Sequence, residues 1–157
     1  MTFGAWNVRT LLDRDENACP ERKTAIVARE LSRYNIDVAA LSKTHLPDER
    51  ELVEYGGGYT FFSKELASPE PRRSGVGFAV KNYLAAQLQE YPVHISDHIT
   101  TLRLYMGREN YLNVISVYAP TLDKSDEIKD KFNEELTRCI DRIYPREQIL
   151  LLGDFNA

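Results

Sequence analysis

Residues 148–157 read QILLLGDFNA and form the strongest fold signal in the chain. The apolar run 149–152 stops at Gly153, which is typical of a buried strand followed by a turn. Asp154 and Asn156 then stand at the exit of that strand. Because α/β proteins keep their chemistry at the carboxyl ends of strands, this segment predicts both a sheet and a functional site.

Composition bounds the class of protein. The chain has 157 residues, of which 43% are hydrophobic, enough for one core and one domain. No apolar run is long enough for a membrane span and no secretory signal is visible, so we expect an intracellular protein, nuclear or cytoplasmic, without a membrane partner. Cys19 and Cys139 suggest neither a disulfide framework nor a zinc site. Because the net charge is −4, the chain as a whole carries no positive electrostatic potential that would attract nucleic acid.

The two ends of the chain predict crossover units. Residues 3–8 and 38–42 are expected to be strands, and a helix from Pro20 to about Tyr34 would connect them. A strand, a helix and a second strand imply a parallel pair. Residues 126–144 predict a second helix, which Ser125 can cap, before the final strand at 148–152.

The middle of the chain predicts antiparallel pairing. Residues 68–74 contain two prolines and two arginines and indicate an exposed loop. The alternation of apolar and polar residues predicts a hairpin. The expected strands of this region are 59–63, 75–80, 99–105 and 111–118.

Polar side chains stand at four predicted strand exits. They are Asn7, Lys43, Tyr118 and the pair Asp154 and Asn156. Each alone is explained by turn chemistry, since Asn and Gly-Asp-x-Asn are common in turns. Their recurrence on successive strands favours a shared site instead.

The three histidines give no metal-ligand spacing. His45 is expected to be a structural neighbour of Lys43. His94 and His98 flank Asp97 and are predicted to be surface residues of a loop.

Five segments in this order resemble the endonuclease/exonuclease/phosphatase superfamily: GAWNVRTL, DVAALSKTHL, SGVGFAV, VISVYAPT and LLLGDFNA. That superfamily contains abasic-site endonucleases, DNase I-like nucleases and inositol polyphosphate phosphatases. Within it, the chain is most similar to the endonuclease domains of LINE-type retrotransposons and to craniofacial development protein 2. The segments that carry this finer resemblance are WNVRTL, ARELSRYNIDVAALSKTHL, GGGYTFF, DKF and LLGDFNA.

The resemblance implies an α/β fold, the DNase I-like four-layer αββα sandwich. It also implies one domain over residues 1–157 whose C-terminal part is missing, because the family continues with further strands and an Asp-His pair. The implied activity is Mg²⁺-dependent cleavage of DNA. The implied partners are DNA, the missing C-terminal half and, through the exposed sheet, a second copy of the chain.

The resemblance also assigns roles to the strand-exit residues. Asp154 would orient or deprotonate the attacking water, Asn156 would position that water or the phosphate, and Tyr118 would hydrogen-bond the scissile phosphate. Asn7 would lie at the metal and phosphate site. Lys43 stands where the family has its metal-binding glutamate, and a protonated lysine offers no lone pair to a metal.

We therefore expect a DNA endonuclease domain whose activity is impaired by Lys43 and by the missing part. Lys43 is expected to exclude the metal or to donate a hydrogen bond to Asp154 or Asn156, and the alternative is an exposed lysine that contacts neither. Two other functions stay open. One is a non-catalytic nucleic-acid-binding or protein-interaction module that keeps the fold, which Lys43 favours. The other is a phosphatase of small phosphates, which the retroelement-like segments disfavour.

Overall fold

The computed structural model describes residues 1–11, 22–45, 50–63 and 75–156, which contain nine strands and three helices. The helices are α1 (Lys23–Arg33), α2 (Asn82–Ala85) and α3 (Asp126–Asp141). The strands are β1 (Phe3–Asn7), β2 (Val38–Ser42), β3 (Arg50–Glu54), β4 (Tyr59–Ser63), β5 (Val76–Lys81), β6 (Val93–Ser96), β7 (Ile99–Gly107), β8 (Asn110–Tyr118) and β9 (Gln148–Asp154).

The strands form two sheets. One sheet has five strands in the order β1-β2-β5-β4-β3, and the other has four in the order β6-β7-β8-β9. The pairs β1/β2 and β8/β9 are parallel, and α1 and α3 lie in the connections between their strands. The other pairs are antiparallel. Both predicted crossover units and the predicted hairpin 99–118 are therefore confirmed.

Three apolar clusters give the molecule four layers. The two sheets pack face to face, with Val38, Phe78 and Val80 of one sheet against Leu102 and Val114 of the other. On the outside, α1 covers the five-stranded sheet and α3 covers the four-stranded sheet. The predicted αββα sandwich is thus confirmed for the described residues.

Local chemistry explains where the two long helices begin. Ser125 accepts a hydrogen bond from the Ile128 N–H at 3.4 Å and so caps α3, as predicted. In α1, Thr24 donates a side-chain hydrogen bond to buried Glu54, which also pairs with Arg22 at 3.3 Å. This contact attaches the start of α1 to the end of β3.

Some predicted boundaries were wrong. The first helix begins at Lys23, and Pro20 and the loop 68–74 lie outside the described residues. Neither β3 nor β6 was predicted. In β3, charged residues obscure the alternation of apolar and polar residues that indicates a strand. Strand β6 is only four residues long. No helix in the described part of the chain combines the length and the apolar character that a membrane crossing needs.

The final strand is less buried than predicted. It extends to Asp154, and Ile149 is 41% exposed because β9 is an edge strand of its sheet. Glu147, the residue before β9, holds the start of this strand. Both of its carboxylate oxygens bind the Arg103 guanidinium, and Oε2 also accepts a hydrogen bond from Asn113 Nδ2 at 2.8 Å. The hydrogen bond from Arg103 lowers the pKa of Glu147 against the opposing effect of burial.

Gly153 permits the close approach of β9 to β8. Its φ is +142°, and a Cβ there would lie 1.9 Å from the carbonyl oxygen of Val117. Val117 is its partner in the parallel register, so the clash would fall on strand backbone that cannot move aside.

We predict that Gly153→Ala lowers the free energy of unfolding by on the order of 3 kcal/mol, because it adds both steric overlap and backbone strain. Gly56→Ala is the matched control, since a Cβ at Gly56 meets no atom within 4 Å. Urea unfolding of the three proteins measures the difference. Equal losses in both variants would contradict the account of Gly153.

We also predict that residues 1–157 self-associate through the β9 edge, because Ile149 is exposed and residues 148–153 carry no charge. Sedimentation velocity should show dimers or larger species, and Ile149→Lys should reduce them. Ile128→Lys is the control, because Ile128 is 45% exposed on α3. A wild-type protein that is monomeric at all concentrations would refute the prediction.

Candidate active site

The carboxyl ends of four strands meet at one edge of the sandwich. Asn7 pairs with Ser42 at the ends of β1 and β2, and Tyr118 pairs with Asp154 at the ends of β8 and β9. Because β1 and β9 also contact each other, Asn7, Ser42 and Asp154 line one cleft of ≈ 580 Å³, whereas Tyr118 is buried outside its lining. The described residues that line it are Ala5, Trp6, Asn7, Ser42, Gly153, Asp154, Phe155 and Asn156.

A hydrogen bond joins the two sheets at this cleft. Asn7 Nδ2 donates to Asp154 Oδ2 at 3.3 Å, although the two residues are 147 positions apart in sequence. The orientation of the Asn7 amide is set by Arg9, whose backbone N–H donates to Asn7 Oδ1 at 3.1 Å. The other carboxylate oxygen, Asp154 Oδ1, accepts the Asn156 N–H at 3.0 Å. The Asp154 carboxylate is therefore held on both oxygens.

Asn156 closes the turn that follows β9. Its φ is +46°, a left-handed conformation that asparagine tolerates better than most residues. Its Nδ2 donates to the carbonyl oxygen of Ala119, whose own N–H donates to the carbonyl oxygen of Asp154 at 2.8 Å. These bonds fix the turn against the residue after β8.

Tyr118 is positioned by a residue that sequence reasoning missed. His98 Nδ1 donates to the Tyr118 carbonyl oxygen, and the two rings stack at 6.0 Å with an angle of 10°. Phe132 of α3 meets the edge of the same imidazole at 6.0 Å. The prediction that His98 is a surface residue was wrong, because its ring is half-buried in this stack.

The sequence feature that could have identified His98 as a neighbour of Tyr118 is its position in the predicted hairpin. Ile99 pairs with Val117, so His98 stands opposite Tyr118, whose N–H donates to the His98 carbonyl oxygen at 2.9 Å. The surface prediction was also wrong for His94, which is half-buried and whose Nδ1 lies 3.0 Å from Thr100 Oγ1.

Lys43, the first residue after β2, also contacts Tyr118. Its Nζ lies 5.6 Å from the centroid of the Tyr118 ring, within the range of a cation–π contact. Its φ is +57°, and it is half-buried. Among the described residues, no hydrogen bond connects Lys43 to Asp154 or Asn156, so the expected donation is not found. The alternative of an exposed lysine that contacts neither residue holds for the missing contact but not for the exposure, because Lys43 is half-buried.

The donor set at the cleft does not fit the magnesium site that the resemblance implies. Magnesium prefers oxygen ligands, mainly carboxylates. Asp154 is the one carboxylate among the described lining residues, and the described part of the chain contains no group of three His, Cys, Asp or Glu suited to hold a metal. Lys43 adds a positive charge beside the cleft instead. The cleft brings Asn7, Asp154 and Asn156 together without a second carboxylate in its described lining, and Tyr118 joins them only as the buried neighbour of Asp154 in the strand register.

Comparison with known proteins agrees with the fold. The chain matches the endonuclease/exonuclease/phosphatase family over residues 4–157. It is 27% identical to craniofacial development protein 2 of Bos taurus over 156 residues, which are 99% of this chain and 24% of that protein. The chain thus spans about a quarter of the length of this curated relative.

Solved structures share the fold at low sequence identity. An AP endonuclease from Archaeoglobus fulgidus superimposes with a TM-score of 0.60 and 19% identity, covering 98% of this chain and 57% of that one. D. rerio TDP2, complexed with single strand DNA product, gives a TM-score of 0.55 and 15% identity, covering 98% and 59%. Because the family match extends over nearly the whole chain, this protein belongs to the endonuclease/exonuclease/phosphatase family.

Proposed function

We propose that this domain acts on the phosphodiester backbone of DNA at the cleft between β1 and β9, and that hydrolysis by residues 1–157 is impaired by Lys43. The observation that carries the proposal is the Asn7–Asp154 hydrogen bond, which joins two polar strand ends from opposite sheets in one cleft. The neighbours in fold include an AP endonuclease and D. rerio TDP2 complexed with single strand DNA product, which supports DNA as the substrate class. The region 1–157 would then be part of one such domain.

The geometry suits the proposed roles. Asp154 is held by donors from Asn7 and Asn156, so its carboxylate has a fixed direction for orienting a water molecule. Tyr118 is buried and contacts both His98 and Lys43, which would hold its ring in place next to Asp154, its partner in the strand register. Preorganised groups of this kind stabilise the transition state because they need no rearrangement during the reaction.

Lys43 is the reason for the proposed impairment. Family members would use Mg²⁺ to neutralise charge on the phosphate, and a carboxylate at position 43 would help to hold it. A divalent ion and an ammonium about 4 Å apart repel by roughly 8 kcal/mol at an effective dielectric of about 20. The flexible lysine stem relieves part of this repulsion, yet the remainder still opposes weak magnesium binding.

A second candidate function is a non-catalytic nucleic-acid-binding module. The observation that favours it is the contact of Lys43 with Tyr118. This contact places a positive charge where the proposed activity would need a metal ligand. Such a module would keep the fold and the cleft without the reaction. No specific feature of the cleft favours a phosphatase of small phosphates.

We predict that residues 1–157 show no Mg²⁺-dependent nicking of supercoiled plasmid above the level of Asp154→Ala. Loss of a metal carboxylate commonly costs orders of magnitude in rate, because the groups of a reaction centre act together. Lys43→Glu is expected to raise the nicking rate, and the double variant Lys43→Glu/Asp154→Ala should remove that gain. Wild-type nicking that needs Mg²⁺ and disappears in Asp154→Ala would contradict the impairment.

We further predict that Lys43→Glu gains affinity for Mn²⁺ and Mg²⁺ relative to wild type, by about tenfold or more, because the sign of the charge at position 43 is reversed. Isothermal titration calorimetry measures both ions. Lys131→Glu is the matched control, since it makes the same charge change at an exposed lysine of α3. Equal metal affinities of wild type and Lys43→Glu would show that position 43 does not control the site.

A further inference from the structure

A second groove lies on the outer face of the four-stranded sheet, between β6 and the C-terminal half of α3. It has a volume of ≈ 570 Å³ and shares no described lining residue with the cleft that contains Asn7 and Asp154. We call it the α3 groove. The residues that define its sheet side are Val93, Ile95 and Arg103, and those that define its helix side are Arg138, Arg142 and Ile143.

The apolar part of this groove has no cover. The helix α3 packs on the strip of the sheet around Ile115 and Val117, whereas Val93 and Ile95 of β6 remain 52% and 38% exposed. Tyr144, another lining residue, is 68% exposed. Exposed apolar and aromatic side chains that line a groove are typical of a protein-binding site. A partner that covers them gains the free energy of apolar burial.

The charged residues on the sheet side of the groove are engaged with one another. Arg103 pairs with Glu147 and, at 3.4 Å, with Glu90. Asn113 Nδ2 donates to the same Glu147 carboxylate at 2.8 Å, and the Arg103 guanidinium lies 3.6 Å from the centroid of the Tyr111 ring. This network therefore offers a partner little free charge.

The helix side of the groove ends in two arginines that a partner can reach. Glu135, Arg138 and Arg142 follow one another at steps of three and four, so they lie on one face of α3. Among the ion pairs of the described residues, none includes Arg142, and Arg138 has only Glu134 at 4.0 Å. Both side chains of that pair are exposed, and an exposed pair contributes little stability. The groove is therefore basic beside the last turns of α3.

We propose that the α3 groove is a docking site for an amphipathic helix of a partner protein, with acidic residues in its first two turns. The helix lies antiparallel to α3, so its acidic start is next to Arg138 and Arg142 and its apolar stripe covers Val93 and Ile95. The antiparallel direction also places the positive N-terminal end of its dipole beside the negative C-terminal end of α3. Carboxylates in its first turns stabilise the partner helix itself for the same reason.

Two other occupants fit the groove less well. A strand would add to the free edge of β6, but β6 has four residues, follows Pro92 and has an irregular register between His94 and Ser96. Short length, proline and bulges are features that prevent strand addition at an edge. A second copy would need a free apolar helix face, and in the described part of the chain the apolar stripes of α1 and α3 pack on their own sheets.

The test begins with selection from a phage-displayed library of helical 16-residue peptides, the length of α3, against residues 1–157. The variant Val93→Lys/Ile95→Lys serves for counter-selection, because both side chains are exposed and the change leaves the core intact. The recovered peptides should have apolar residues at steps of three and four and aspartate or glutamate in their first two turns. Chemical shifts of the backbone amides of Val93, Ile95 and Ile143 should report their binding.

A charge swap then tests the arginines by fluorescence anisotropy of a labelled selected peptide. Arg138→Glu/Arg142→Glu should weaken its binding about tenfold, and a peptide with lysines in place of the acidic residues should prefer this variant to the wild type. A misfolded variant would not gain this preference. Lys124→Glu/Lys131→Glu is the matched control, because it makes the same charge change at exposed residues outside the groove lining and should leave binding unchanged.

Each other outcome would overturn the inference. Selection could yield no peptide that prefers the wild type to Val93→Lys/Ile95→Lys, or only strand-forming peptides, or peptides that bind the charge-swap variant equally well. Dimers that Val93→Lys/Ile95→Lys abolishes and Ile149→Lys leaves intact would show that a second copy occupies the groove. Nicking and metal affinity depend on the cleft, so failure of the proposed function would leave helix docking untouched.

Discussion

The apolar layer between the two sheets determines which strand ends meet at the cleft. Phe78 and Val80 of one sheet interlock with Leu102 and Val114 of the other, and this contact sets how the two edge strands meet. Because β1 and β9 lie against each other, the ends of two strands from opposite sheets come within hydrogen-bond distance. The cleft is therefore a consequence of how the two sheets pack.

The chemistry of the cleft follows from a single charge. With a glutamate at position 43, the polar groups around Asp154 would resemble a site for a divalent cation. With Lys43, an ammonium lies instead 5.6 Å from the centroid of the Tyr118 ring, the neighbour of Asp154 in the strand register. The fold, the Asn7–Asp154 bond and the His98–Tyr118 stack are compatible with either charge, so the fold alone does not determine what the cleft binds. That is why family membership and the function of this chain are separate conclusions.

Much of the fold could be predicted from the sequence, because its signals are local. Ser125 and the apolar stripe of α3 predict that helix, and the alternation in 99–118 predicts the hairpin. The strand-exit residues could be named, since polar residues after apolar runs are visible in the sequence. The contacts of His98 and Lys43 with Tyr118 could not, because they depend on strand register and on how separate sheets pack. The finer resemblance to LINE-type endonucleases stays a prediction.

The central claim is that Lys43 opposes the binding of a divalent metal ion at the cleft that contains Asn7 and Asp154. NMR tests it most directly, through the carboxyl ¹³C signal of Asp154 in the wild type and in Lys43→Glu. The account predicts that millimolar Mg²⁺ leaves this signal unchanged in the wild type and shifts it in Lys43→Glu. A shift of equal size in both proteins would contradict it.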